Sequence, residues 1–84
     1  MSAQEVFKLR YKILEIIHKE WPCNITHIIK ALGLKEDKKN LLRIRYHVLK
    51  LAKEGKILTK RIDRALVCWP TEVEKLRVIQ ELIK

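Results

Sequence analysis

The chain has 84 residues, 48% hydrophobic and 35% charged, enough for one domain with a single core and too few for a separate catalytic domain. Its net charge of +9 is concentrated: residues 35–69 carry eleven Lys/Arg against four Asp/Glu (+7), whereas residues 1–34 (five against three, +2) and 70–84 (three against three) are nearly balanced. No run approaches the ~18 apolar residues of a membrane span, MSAQEVFKLRYK lacks the apolar region of a signal peptide, and two cysteines are too few for a disulfide scaffold; the expectation is a soluble, cytoplasmic protein, in a cell or in the host of a mobile element, with a polyanionic partner.

In chain order, Ser2-Ala3-Gln4-Glu5 has the form of a capping box. Val6, Leu9, Ile13, Ile16 and Ile17 then recur at helical spacing, with Phe7, Leu14 and Trp21 as a second stripe, until Pro22 ends the first helix. That apolar face is wider than one small core needs. A short second helix follows, with Asn24 as N-cap and Ile25, Ile28, Ile29 and Leu32 on its apolar side; Gly33 suits the left-handed position after it. The third helix is predicted near 37–54, opened by Asp37, closed by Gly55, with Leu41, Ile44, Val48 and Leu51 as its core face. Beyond Gly55 the period changes. Ile57–Ile62 and Ala65–Trp69 read as a hairpin over 57–69 turning at Asp63-Arg64, with Leu58, Ile62, Val67 and Trp69 facing inward. Thr71-Glu72-Val73-Glu74 is a second capping box, opening a helix over 71–84. The fold class is mainly α with a small β-hairpin, in the order helix, helix, helix, hairpin, helix, as one domain over 1–84. Trp21 and Trp69, each beside a proline, are read as core or core-edge anchors.

Ile25 to Leu34 followed by the third helix resembles a helix-turn-helix. The stretch from Val48 through Leu51 and Gly55 to Leu58, with basic Lys60, Arg61 and Arg64 beyond it, resembles the recognition-helix exit and wing of winged helix-turn-helix regulators. The resemblance spans nearly the whole chain. Lys35-Glu36-Asp37 departs from it, because many relatives have Ser or Thr at that N-cap. The Lys- and Ile-rich composition is similar to that of small regulators of hyperthermophilic archaea, their viruses and plasmids. The resemblance implies a DNA-reading helix and a wing on the backbone or minor groove. It also implies that a short strand before the second helix pairs with the last wing strand, bringing Cys23 near Cys68 and allowing a disulfide.

Helical geometry gives its own test of that implication. At ~100° per residue, the side of the third helix opposite its core face holds Lys39, Arg43, Tyr46, Lys50 and Lys53. Arg43 is the candidate base reader, since Arg bonds guanine bidentately; Tyr46 suits a base edge or phosphate; Lys39 and Lys50 suit the backbone. Leu42 and Leu49 flank this stripe, tucked against a neighbouring element or forming a protein interface. Lys60, Arg61 and Arg64 at the hairpin suit a narrow minor groove, or simply protect a strand edge. Thr26 opens the second helix, where backbone amides suit a phosphate. His18, Cys23, His27 and Cys68 contain the residue types of a zinc site, but no Cys-x-x-Cys knuckle is present; neither metal nor cofactor is expected. No Gly-rich phosphate loop, activated nucleophile or carboxylate pair is evident, so the chain does not read as an enzyme. The function expected is duplex-DNA binding by a sequence-specific transcription regulator, a homodimer through its first and fourth helices. The alternatives are a protein–protein interaction module and a sequence-neutral architectural or replication protein.

Overall fold

The computed structural model describes residues 3–73. Three helices, α1 (Ala3–Glu20), α2 (Ile25–Ala31) and α3 (Lys38–Lys53), precede an antiparallel hairpin of β1 (Ile57–Ile62) and β2 (Ala65–Pro70). Thr71 to Val73 are again helical. The rest of the helix expected over 71–84, and the capping residue Ser2, lie outside the described residues. Among the described residues no helix is long and apolar enough to cross a membrane.

Local chemistry sets the helix ends. The Asn24 side chain accepts a hydrogen bond from the His27 amide at 2.8 Å, and that of Asp37 accepts one from the Asn40 amide at 2.8 Å, so each caps its helix. Asn40 also donates from its side-chain amide to the Lys35 carbonyl at 2.9 Å, bracing the approach to α3. At the other ends, Gly33 (φ 73°) and Gly55 (φ 77°) take left-handed conformations that a glycine adopts without steric cost. Around them the amides of Gly33 and Leu34 bond the carbonyls of Lys30 and Ile29, and those of Gly55 and Lys56 bond Ala52 and Leu51. Both are Schellman closures, which satisfy carbonyls that the helices leave unpaired.

One core joins the elements. Ile13 and Ile17 of α1, Ile28 and Ile29 of α2, Ile44, Val48 and Leu51 of α3, Ile57 of β1 and Cys68 of β2 are buried together with Cys23. Each such aliphatic side chain contributes about 1.5–3 kcal/mol on leaving water. Leu41, expected in this set, is 37% exposed; His47 lies in the core face instead, 4% exposed.

The hairpin faces the opposite way from the sequence expectation. Its register pairs Ile57 with Pro70, Leu58 with Trp69, Thr59 with Cys68 and Ile62 with Ala65. Ile57, Cys68 and Pro70 are buried, whereas Leu58, Val67 and Trp69 are half-buried and Ile62 is 50% exposed. Directly paired residues share a face, so a change of one residue in parity moves the whole set. The parity is set at both ends. Ile57 enters the core immediately after the Gly55 closure, and Cys68 exchanges both backbone hydrogen bonds with Cys23, at 3.1 and 2.8 Å. At the tip, Asp63 takes a left-handed φ of 55°, a region that Asp tolerates better than most residues, and this closes the two-residue turn. Thr71 ties the hairpin's exit to its entry, its hydroxyl donating to the Gly55 carbonyl at 2.8 Å. Trp21, expected as a core or core-edge anchor, lies just beyond the end of α1 and is 46% exposed.

His47 has a polar partner across the core, on α1. The guanidinium of Arg10 on α1 donates from Nε to His47 Nδ1 at 3.3 Å, and also pairs with Glu54 at 3.6 Å. Desolvation, then the positive charges of Arg10 and Arg43, hold the imidazole below its ordinary pKa of 6.5. The folded state therefore binds this proton less readily than the unfolded chain. Stability from this site is complete above about pH 6.5 and drains as pH falls through the folded value. Thermal melts from pH 7.5 to 5 should show the wild type losing Tm, with a smaller loss in His47→Gln; equal slopes for the two proteins would exclude His47 as the source.

Candidate nucleic-acid interface

Six of the sixteen residues of α3 are Lys or Arg (Lys38, Lys39, Arg43, Arg45, Lys50, Lys53) and none is acidic. Of the nearby carboxylates, Asp37 caps α3, Glu36 pairs with Lys30 at 3.4 Å, and Glu54 pairs with Arg10 and Lys56. The helix thus carries its positive charge without acid on its own surface.

Burial of Ile44, His47, Val48 and Leu51 fixes the rotation of α3, and the outward face differs from the stripe expected. Its outermost line runs through Leu42 (58% exposed), Tyr46 (55%) and Leu49 (44%) towards the exposed Lys53. Lys39 is exposed as expected, but Arg43 and Lys50 are half-buried on one flank. There the Lys50 ammonium lies 5.9 Å from the centre of the Tyr46 ring, and that ring meets His47 edge to face at 5.6 Å. Leu42 and Leu49 are not tucked against a neighbour. Arg43, the expected base reader, lies off the line of closest approach, because a residue next to Ile44 and four before His47 is drawn towards the core.

On the other flank α3 meets the hairpin tip. A groove of about 540 Å³ opens between the start of α2, the first half of α3 and the β1–β2 turn. Arg45, Arg61 and Arg64 line it, together with Thr26, Leu42 and Ile62. Asp63 also lines it, so the lining carries three arginines and one acidic residue. Such a grouping of like charge raises the local potential and favours an anion. Of the residues expected to act together, Arg61, Arg64 and Thr26 share this groove; Lys60 is exposed but not part of its lining. Thr26 is half-buried beside a helix start already partly satisfied, since the Asn24 side chain accepts from the His27 amide.

Arg45 was missed in the sequence because it falls between Leu41 and Leu49 on the helical wheel, and only the position of the hairpin reveals which flank of α3 faces the tip. Among the described residues no group of three or more His, Cys, Asp or Glu is arranged to hold a metal ion. The chain matches no family model, no curated protein and no solved structure with which it was compared.

Cys23 and Cys68 lie opposite each other across a single antiparallel bridge, both as free thiols, so backbone hydrogen bonds join them. Burial, with a lesser contribution from Glu20, pushes the Cys23 thiol up to about 11; burial, then Cys23, pushes Cys68 up to about 12. At pH 8 a water-soluble thiol reagent should label both rapidly in denaturant and, in the native protein, only at the slow rate set by opening. Because both folded values exceed the ordinary 9.0, their contribution to stability is whole below about pH 9 and is lost as pH climbs towards 11 and beyond. Labelling of the native protein at the rate of an open peptide thiol would contradict the burial.

Proposed function

We propose that this chain is a winged helix-turn-helix domain that binds duplex DNA, with α3 in the major groove and the hairpin tip as a wing on the adjacent backbone or minor groove. The observation that carries the reading is the groove that Arg45 of α3 lines together with Arg61 and Arg64 of the hairpin, beside a helix without acid. An α-helix fits the width of the major groove, and cations at a hairpin tip suit the negative potential of a narrow minor groove. The role is binding, not catalysis, and its natural use is transcription regulation. On this reading Arg45 takes the part that helical spacing alone assigned to Arg43. Lys39 and Lys53 hold phosphates, and Arg61 and Arg64 hold the wing to the duplex.

The reading extends to a symmetric pair. Phe7 and Tyr11 stand one turn apart on α1, 67% and 66% exposed. With Leu14 and Leu51 they line a second groove of about 620 Å³. A second copy meeting this face would present two α3 helices to successive major grooves, about 34 Å apart. Light scattering at micromolar concentration should give twice the chain mass, falling to one chain for Phe7→Ala/Tyr11→Ala; a monomeric wild type would remove the pair and leave the DNA reading untouched.

Fluorescence anisotropy with duplex pools at several salt concentrations tests DNA binding. Log affinity should fall linearly with log salt, and Arg61→Ala and Arg64→Ala should each reduce the slope by about one. Arg45→Ala should cost about 1–3 kcal/mol on selected sequences, and Arg43→Ala less. Absence of duplex binding at low salt would end the reading and turn attention to the exposed leucines of α3 as a protein interface.

A further inference from the structure

The outermost line of α3 is apolar or aromatic until it reaches Lys53. Leu42, Tyr46 and Leu49, at offsets of four and three, form one ridge, with exposed Lys39, Arg45 and Lys53 around it. A helix laid in the major groove by those cations brings this ridge closest to the base edges. Two of its three members have no hydrogen-bonding side-chain group, so they cannot read donors or acceptors. Pressed against the polar edges of guanine or adenine, they would desolvate those edges and return no hydrogen bond. The major-groove floor offers one alkyl group, the C5-methyl of thymine.

We infer that the Leu42–Tyr46–Leu49 ridge selects thymine by contact with its methyl group; the inference rests on the duplex-DNA reading above. Leu42 and Leu49 are seven residues apart, about 10 Å along the helix at 1.5 Å per residue. With base pairs stacked ~3.4 Å apart, a helix lying along the groove brings the two leucines to thymines about three base pairs apart. Tyr46 lies between them, its phenol able to meet an intervening edge. The ridge adds a preference for thymine to the affinity supplied by Lys39 and Lys53 and to the base contact assigned to Arg45.

Replacement of thymine by uracil isolates the claim, because it removes the methyl and leaves the pairing and phosphates in place. Duplexes selected from a random pool by the wild-type protein are resynthesised with dU at each dT in turn, and Kd is measured by anisotropy at fixed salt. At two positions about three base pairs apart, dU should weaken wild-type binding roughly three- to fivefold each. Leu42→Ala should bind more weakly and be indifferent to dU at one of these positions, and Leu49→Ala at the other. The salt slope should be the same on both duplexes. Both leucines are exposed, so the variants should keep the wild-type melting temperature. Tight binding that is equal on dT and dU duplexes would overturn the ridge reading while leaving duplex binding intact; failure to bind any duplex would take both down. Loss of dimer mass in Leu42→Ala or Leu49→Ala with DNA affinity unchanged would also overturn it, and would make the ridge a protein interface.

Discussion

The rotation of α3 about its own axis is the constraint on which the surface depends. Ile44, Val48 and Leu51 are buried against α1, α2 and β1, and His47 completes that face through its bond from Arg10. Truncating one such aliphatic side chain typically costs about 2–5 kcal/mol, a large share of the 5–15 kcal/mol that keeps a domain folded. The helix therefore has little freedom to roll, and each residue on it has a settled address. Leu42, Tyr46 and Leu49 stand outermost; Arg45 looks to the hairpin; Arg43 and Lys50 lie on the far flank. A turn of 100° would exchange these roles, so the core packing decides which cations a partner meets.

The hairpin needs a second constraint, because two strands alone are barely stable in water. β1 is held at its start by the Gly55 closure and the burial of Ile57, and β2 by the two hydrogen bonds that Cys68 exchanges with Cys23. Thr71 closes the base by bonding Gly55. With the base held at these points, the tip extends beside α3 and carries Arg61 and Arg64 to Arg45. Residues far from the groove thus set its shape. The network of Arg10, His47 and Glu54 braces α3 against α1 in the same way, although an ion pair with a partly exposed carboxylate adds little by itself.

Features decided within a few residues were legible in the sequence. Asn24 caps α2 as expected, Asp37 stands at the start of α3 where its carboxylate was expected and also caps it, Gly33 and Gly55 close the two helices, and the hairpin turns at Asp63-Arg64. Features decided by a distant element were not. The inward face of the hairpin depends on the Cys23–Cys68 pairing and on Ile57, and because both faces of β2 carry apolar residues the pattern led to the wrong face, that of Val67 and Trp69. His47 was legible in principle, since it lies three residues after Ile44 and directly before Val48, but a polar residue at a core position is recognisable only once its partner, Arg10, is known. The groove divides along the same line. Arg61 and Arg64 were evident from charge alone, whereas Arg45 could be preferred to Arg43 only after the hairpin's side of α3 was known. Trp21 beside Pro22 carried no information about which side of α1 would be buried.

The composition of the α3 surface separates affinity from selectivity on the proposed reading. Cations attract any duplex, since phosphates repeat regardless of sequence and the energy comes from released counterions. A helix whose outermost line were also cationic would gain affinity everywhere and, where it used Lys, discriminate little. Leucines there do the reverse. They contribute nothing over most base edges, and against water they leave apolar area exposed, a cost borne until a matching alkyl surface covers them. A methyl contact is worth only about 0.8 kcal/mol per buried carbon, so two of them give roughly an order of magnitude of preference and not more. Discrimination of the size typical of regulators, about 4–10 kcal/mol between specific and non-specific sites, then needs further contributions: Arg45 on a base edge, the shape of the minor groove under Arg61 and Arg64, and above all a second copy, which doubles every one of these terms on a symmetric site.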